Sequence, residues 1–594
     1  MSKILSNREN VNQNDQWDLE AFYSSDDKWL EEFNKLEDLA KNVIQYKGRL
    51  SESAETLFNC LKELDNFSRV AERVYVYAHL KNDQDTSNSF YAGREDETKS
   101  LISRLSGEIS FVVPEILMTD DSKINEFLKD EKLKHYKFKL DEILRMKPHT
   151  LSESEERLLA MTTEPLNGAS NIFMVMNNSD VKFPVIKDED GKDAMVTHGR
   201  YISFLTSQSR EVRKNAFESY HQIYKDYNNS YASMLGNHIK GNIFKTKARN
   251  YKSSIEHFLN YDNVPVSVYD NLLKAVHNYL PALHKYMKLR KKILDVDQLH
   301  LYDVYVPLIK DFDKKFTIDE AKEIILKSLS PLGDEYINIV KKGIDDRWID
   351  KYENKGKRSG AFCYAPNNQT TPHVMLNHTN KLRDVYTLMH ELGHAIHDLY
   401  AYKQKNLLFH PVLPLAETAS IFGEMILSKK LMKDADADEK QNILIHNLDH
   451  YYASILRQTY FVIFEEFAHE KIKNGITKKE LDKKYYELLQ EQFGDMIIPD
   501  LFKHEWNYIP HIHNTPFYCY AYAWGNLLVL ALYAEYEKNP EFKEQIKNIL
   551  KAGASKDTLE ILKDANIDPT NKEFWQNGFN IIKEEIEELK KLVK

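Results

Sequence analysis

Glycine and proline are scarce in this chain, 19 and 17 of 594 residues, about 6% where an average protein carries about 12%. These two residues end helices and build turns. A chain so poor in them has little material for a many-turned β fold, a collagen-like repeat or long flexible linkers. Between the few interruptions, apolar residues recur at helical spacing. In EEFNKLEDLAKNVIQY, Phe33, Leu36, Leu39, Val43 and Ile44 fall on one stripe, the pattern of a helix that buries one face. A mainly α fold follows, with helix after helix from Asp26 to about Thr163.

Two islands break the pattern. VKFPVI and the turn signal EDGK, with Pro184 and Gly191, read as a short strand-bearing connector before helices resume near Arg200. This sets a boundary near residue 195 between an N-terminal helical region with its connector, 1–195, and a second domain, 196–594. The other island is GKRSGAFCYAPNNQTTPHVMLNH, where AFCYA and HVMLN are β-compatible runs joined by a turn-rich PNNQTTP. A hairpin is expected there, followed by a helix capped by Thr379 or Asn380. A strand edge beside a helix suits an extended peptide.

Composition narrows the class. Hydrophobic residues at 42% are too many for a disordered chain, and charged residues at 29% exclude a polytopic membrane protein. The excess of 91 acidic over 81 basic residues argues against nucleic acid as a partner. Three scattered cysteines, Cys60, Cys363 and Cys519, do not make a disulfide framework, and the first residues carry no apolar secretory core, so a cytoplasmic protein is expected. Tyr518–Ala534, YCYAYAWGNLLVLALYA, is apolar enough to suggest a membrane span, but it is short and lacks basic flanks. A buried core helix is the expectation, with no membrane association.

The chemistry is concentrated at His390-Glu391-Leu392-Gly393-His394, an HExxH inside a helical pattern. Residues four apart on a helix lie about 5–6 Å apart at Cβ, so both imidazoles can bind one zinc ion, while Glu391, rotated by about 100°, can reach a metal-bound water. Composition alone produces such a string about once in fifteen chains of this kind. Gly393, however, costs about 1 kcal/mol in a helix interior, which points to a close approach at that position. Three protein ligands are usual for catalytic zinc. His397 and Tyr400 stand where HExxHxxGxxH would need glycine and histidine, so a three-histidine site fails. In PLAETASIFGEMILSKKLM, opened by Pro414, Glu417 and Glu424 share a face that is otherwise apolar, and unpaired acids there are costly to bury. Glu417 is the candidate third ligand and Glu424 the candidate partner that orients a ligand histidine. Asp398, one turn beyond His394, either orients a histidine or is a surface acid. His446 and His450, in HNLDH, have the four-residue spacing without the glutamate and read as structural. In PHIHNTPFYCYAYAWGN, His511, His513, Tyr518 and Tyr522 offer neutral donors for an oxyanion or simple aromatic packing.

The motifs WDLEAFY, LRMKPHTLSESEERLLA, GKRSGAFCY, HELGHAIH, AETAS, RQTYFVIFEEFAHE and PFYCYAYAWG occur in this order along most of the chain. With them the sequence resembles the oligoendopeptidase F group of the thimet oligopeptidase-like zinc metallopeptidases. The resemblance implies a large two-lobed helical fold enclosing a deep channel, a small sheet beside the zinc helix, and one zinc ion per chain acting on short unfolded peptides, in a monomer or homo-oligomer. It makes His390, His394 and Glu417 the ligands and Glu391 the base. It has Gly360 and Ala361 hold substrate as an added strand, and gives the His511–Tyr522 segment, Tyr520 included, to substrate binding and transition-state stabilisation. An exopeptidase of the same superfamily (carboxypeptidase or dipeptidyl carboxypeptidase) and a catalytically silent peptide binder are the alternatives.

Overall fold

The computed structural model describes residues 5–308, 314–367 and 370–593. Helices dominate them, with one two-stranded and one three-stranded sheet. Two compact units form, each from three stretches of chain: Met1–Lys147, Lys314–Lys430 and Glu535–Ile567 in the first, Pro148–Asp313, Leu431–Ala534 and Asp568–Lys594 in the second.

In the first unit, helices Asp26–Ile44, Ala54–Gln84 and Ser89–Glu108 pack side by side. The Ser25 and Ser53 hydroxyls accept the Lys28 and Thr56 N–H groups at 3.3 and 3.1 Å and start the first two helices. The stripe expected from the sequence is the buried one: Phe33, Leu36 and Val43 lie in the core, with Leu39 and Ile44 packed against it. Burying side chains of this size contributes about 1.5–3 kcal/mol each.

The connector hairpin pairs β1 (Val185–Lys187) with β2 (Asp193–Met195) in antiparallel register, Val185 opposite Met195, across a turn in which Gly191 takes φ +74°. The three-stranded sheet has the order β3–β5–β4, formed by β3 (Ile349–Asp350), β4 (Phe362–Tyr364) and β5 (His373–Met375). β4 and β5 make the expected hairpin, Cys363 opposite Val374; residues 368 and 369 of the PNNQTTP connector lie outside the described residues. β3 joins β5 in parallel, so β5 is central and β4 is left at the edge. The Lys357 ammonium, fully buried, reaches Asp350 at 2.7 Å and donates to the Tyr352 and Leu376 carbonyls. A charge buried this deeply is tolerated only when so completely paired.

β4 and β5 both pack against the HExxH helix, Leu382–Ala401. Its start differs from the expectation. Asn380 takes φ +66°, unlike an extended cap residue, and Asp384 reaches back instead, accepting the Thr379 and Lys381 N–H groups at 2.7 and 3.0 Å.

In the second unit, helix Thr163–Val175 packs on Asn228–Ala248, while Val266–Ile293 and Ala437–Tyr451 both pack on the C-terminal helix Lys572–Leu592. The apolar segment forms the helix Tyr520–Lys538, with Trp524 and Leu527–Leu532 wholly buried. Its Asn526 is satisfied by the Tyr522 carbonyl at 2.9 Å and by His450 Nε2 at 3.0 Å, a structural use of that histidine. No described helix is long and apolar enough to cross a membrane.

Candidate metal centre and active site

The segment after the HExxH helix is not the single helix that its composition suggests. A short turn, Leu413–Ala416, with Pro414 near its start, ends at Glu417, and a second helix, Thr418–Asp434, begins directly after it. The break leaves Glu417 at a junction facing the HExxH helix. That helix can lie close because Gly393 has no side chain: a Cβ there would be 2.3 Å from Ser420 Cα and 2.7 Å from Ser420 N. The cost of a glycine inside a helix is thus tied to a backbone-to-backbone contact.

The contact brings the candidate ligands together. His390 Nε2 and His394 Nε2 are 3.2 Å apart, and Glu417 Oε2 is 3.3 Å from the first and 3.5 Å from the second. For metal–ligand bonds of about 2.0–2.1 Å in a tetrahedron, ligand atoms stand about 3.4 Å apart, so the three atoms fit three corners around one ion. Charge makes the same demand. Burial opposes a proton on His390, yet hydrogen bonds to Glu417 and Glu424 hold its pKa well above the usual imidazole range. Burial also lowers His394, to about 4. Burial would raise Glu417, but His390, His394 and the Ser420 hydroxyl outweigh it and bring that carboxyl down to about 2. Positive charge belongs among these groups, as an imidazolium or as a divalent ion. Glu424 Oε1 accepts from His390 Nδ1 at 2.5 Å, which fixes the ring and turns Nε2 toward His394 and Glu417.

Glu391 lies on the adjoining face and is 7% exposed. Burial pushes its carboxyl up to about 7, even though it accepts the Cys363 N–H from the edge strand. A cavity of about 600 Å³ is lined by His390, Glu391, His394 and residues Ala361–Ala365, with Asp398, His410 and Glu72 on its wall. Gly360, at φ +91°, precedes this strand and accepts from Asn377 Nδ2 at 2.9 Å. Asp398 is neither a surface acid nor hydrogen-bonded to a ligand histidine. Burial raises its carboxyl to about 7, and its charged neighbours are His410 and Glu72, themselves paired at 2.7 Å. Glu72 and His410 are not singled out by the sequence, and Cys363 is noted there only as a cysteine and within a motif; no spacing marks the three, because they reach the cavity from separate parts of the chain.

The five residues of the HIHNTPFYCYAY segment lie in the second unit and part into three environments. His511 stacks on Tyr518 at 5.8 Å, and the Tyr522 hydroxyl is 3.4 Å from His511 Nε2, so these three form one cluster. His513 is buried against the Phe173 ring at 4.1 Å, and burial lowers its pKa to about 3. Tyr520 is buried and donates to Asp262 at 2.6 Å.

The comparisons with known proteins agree along the chain. The family profile described as Peptidase family M3 matches residues 203–581, and that described as Oligopeptidase F matches residues 115–183. Oligopeptidase PepF of Bacillus subtilis is 40% identical over 99% of this chain and 89% of its own length. Group B oligopeptidase PepB of Streptococcus agalactiae is 35% identical over 99% of both. Among solved structures, the oligoendopeptidase F of Enterococcus faecium superposes with a TM-score of 0.74 at 33% identity, covering 96% of this chain and 99% of that one. A Chlamydophila abortus protein reaches 0.91 at 32%, covering 99% and 100%. With a family profile matching well over half of its length, the chain belongs to peptidase family M3, in its oligopeptidase F group.

Proposed function

We propose that the protein is a zinc-dependent endopeptidase that hydrolyses internal bonds of short unfolded oligopeptides. The observation that carries this reading is the convergence of His390, His394 and Glu417 to 3.2–3.5 Å, in a cavity walled by β4, the edge strand of a sheet. In this reading residues 196–594 hold the catalytic machinery, one zinc ion binds per chain, and short peptides are met in the cytoplasm.

His390, His394 and Glu417 would hold a zinc ion, which when bound would supply a Lewis acid to polarise the scissile carbonyl and acidify water. Glu391 takes a proton from the attacking water and passes it to the leaving nitrogen, a role suited to a carboxyl raised to about 7. Glu424 keeps the His390 ring in place. The backbone at Gly360 and Ala361, leading into β4, pairs with extended substrate as an added strand. Tyr522 and Tyr518 with His511, which burial keeps neutral, donate to the oxyanion of the tetrahedral intermediate; Tyr520 and His513 support that segment through Asp262 and Phe173. No covalent acyl-enzyme forms. Among the described residues that line the cavity none is lysine or arginine, and peptides blocked at both ends separate internal cleavage from the carboxypeptidase alternative.

The test is cleavage of an internally quenched peptide of about ten residues, blocked at both ends, by wild type and by Glu391→Gln, with bound metal measured for each. Cleavage by wild type alone, with metal retained in both, is expected. Intact peptide with metal-loaded wild type would refute the endopeptidase and leave an exopeptidase or a silent binder.

A further inference from the structure

Just ahead of the tyrosine cluster, the chain makes a turn that its own residues disfavour. The Tyr518 N–H closes onto the Thr515 carbonyl at 3.2 Å, with Pro516 second and Phe517 third in the turn. Phe517 takes φ +59°. A positive φ at the third place defines a type II turn, where glycine or asparagine is the usual occupant. A bulky aromatic there is an outlier, and such outliers persist only where the surroundings over-determine them.

One group does so. Glu465, in the helix Arg457–Ile472, is 1% exposed, and its Oε1 accepts the Phe517 N–H at 2.9 Å. Type I and type II turns differ chiefly by a flip of the peptide between the second and third residues, the peptide that carries this N–H. An acceptor fixed on one side of that peptide therefore selects one turn over the other. The Phe517 ring, also 1% exposed, is held between Phe258 at 5.8 Å and His469 at 4.7 Å. Burial raises the Glu465 carboxyl well above its usual range, and in either protonation state its Oε1 can accept the Phe517 N–H.

We infer that Glu465 is a positioning residue: by holding the Phe517 peptide in the type II orientation, it aims Tyr518 at His511 and Tyr522 and so assembles the donor cluster used in turnover. The inference rests on the role proposed above for that cluster. Without the clamp the peptide relaxes toward type I, Phe517 returns to negative φ, and Tyr518 leaves its stack on His511.

The experiment compares kcat and KM for the end-blocked peptide in the zinc-loaded full chain carrying Glu465→Gln, Glu465→Met or Glu465→Asp, with folding checked by circular dichroism. The amide oxygen of Glu465→Gln still accepts the Phe517 N–H, so kcat is expected within about threefold of wild type. Glu465→Met removes the acceptor, and Glu465→Asp withdraws it by about 1.5 Å. For both, kcat is expected to fall about tenfold to hundredfold, below the loss of a whole oxyanion donor, with KM within about twofold. Glu465→Asp keeps the chemistry of the site and serves if the methionine chain does not fold. Unchanged kcat in the folded Met or Asp chain overturns the inference. An equal loss in folded Glu465→Gln also overturns it, since a property of the carboxyl other than its acceptor oxygen would then matter. Tyr518→Phe and Tyr522→Phe, measured alongside, separate the two readings: if neither alters kcat the donor role fails, whereas if they lower it and Glu465→Asp does not, only the positioning role fails.

Discussion

Replacing Gly393 by alanine tests whether the candidate metal centre depends on two helices touching. In a helix free of neighbours the change would stabilise by about 1 kcal/mol. Here the new Cβ would sit 2.3 Å from Ser420 Cα, 2.7 Å from Ser420 N and 2.9 Å from the Ala419 carbonyl carbon. Carbon atoms in contact need about 3.5–4.0 Å, so the backbones must part by about 1.2–1.7 Å, with no flexible side chain to yield instead. Overpacking of this kind costs about 1–3 kcal/mol, and a clash with backbone belongs at the upper end, leaving a net loss of about 1–2 kcal/mol. The displacement reaches the ligands, because Glu417 precedes Ser420 by three residues and accepts its hydroxyl at 2.8 Å, while a metal site tolerates errors of only about 0.2 Å. Metal affinity should fall about 10–100-fold, the range seen when ligand-orienting contacts are lost. Thermal unfolding and competition with a calibrated chelator measure the two effects separately. A raised Tm with unchanged metal affinity would refute the argument, because it would mean that the helices have room to spare.

Glu417→Ala should release the metal, and retained stoichiometric metal would remove Glu417 from the ligand set. Glu424→Ala should keep the site but weaken metal binding about 10–100-fold by freeing the His390 ring; an unchanged affinity in the chelator competition would show that the ring is held by other contacts. His513 ties stability to pH. Its folded pKa, about 3, is depressed below the unfolded value of about 6.5, so the unfolded chain binds the extra proton. Its contribution is complete above about pH 6.5 and declines by about 1.4 kcal/mol per pH unit as pH falls toward 3. His513→Phe, which keeps a ring against Phe173, should flatten the denaturant-derived stability curve by that slope between about pH 6.5 and 4; parallel curves would contradict the assignment.

Helical class and the pairing of His390 with His394 could be read directly from the sequence, because both depend on a period of 3.6 residues set by the covalent backbone. The same local logic found the β4–β5 hairpin, whose strands flank their own turn, and flagged Gly393, whose cost is intrinsic. It went wrong at the start of the HExxH helix, where Thr379 and Asn380 have the right chemistry but the backbone at Asn380 is left-handed and Asp384 does the capping. Contacts between distant residues were not legible. The parallel pairing of β3 with β5, the junction that turns Glu417 toward two histidines, and the meeting of Glu72, Cys363, Asp398 and His410 at one cavity depend on packing between stretches of chain far apart in sequence. The histidines and tyrosines from 511 to 522 show the same limit: sequence presents five similar side chains in a row, and only burial against Phe173, a hydrogen bond to Asp262 and the strained turn at Phe517 decide which three form a cluster. Spacing along one helix is fixed before the chain folds, whereas the partner each side chain meets depends on how the helices pack.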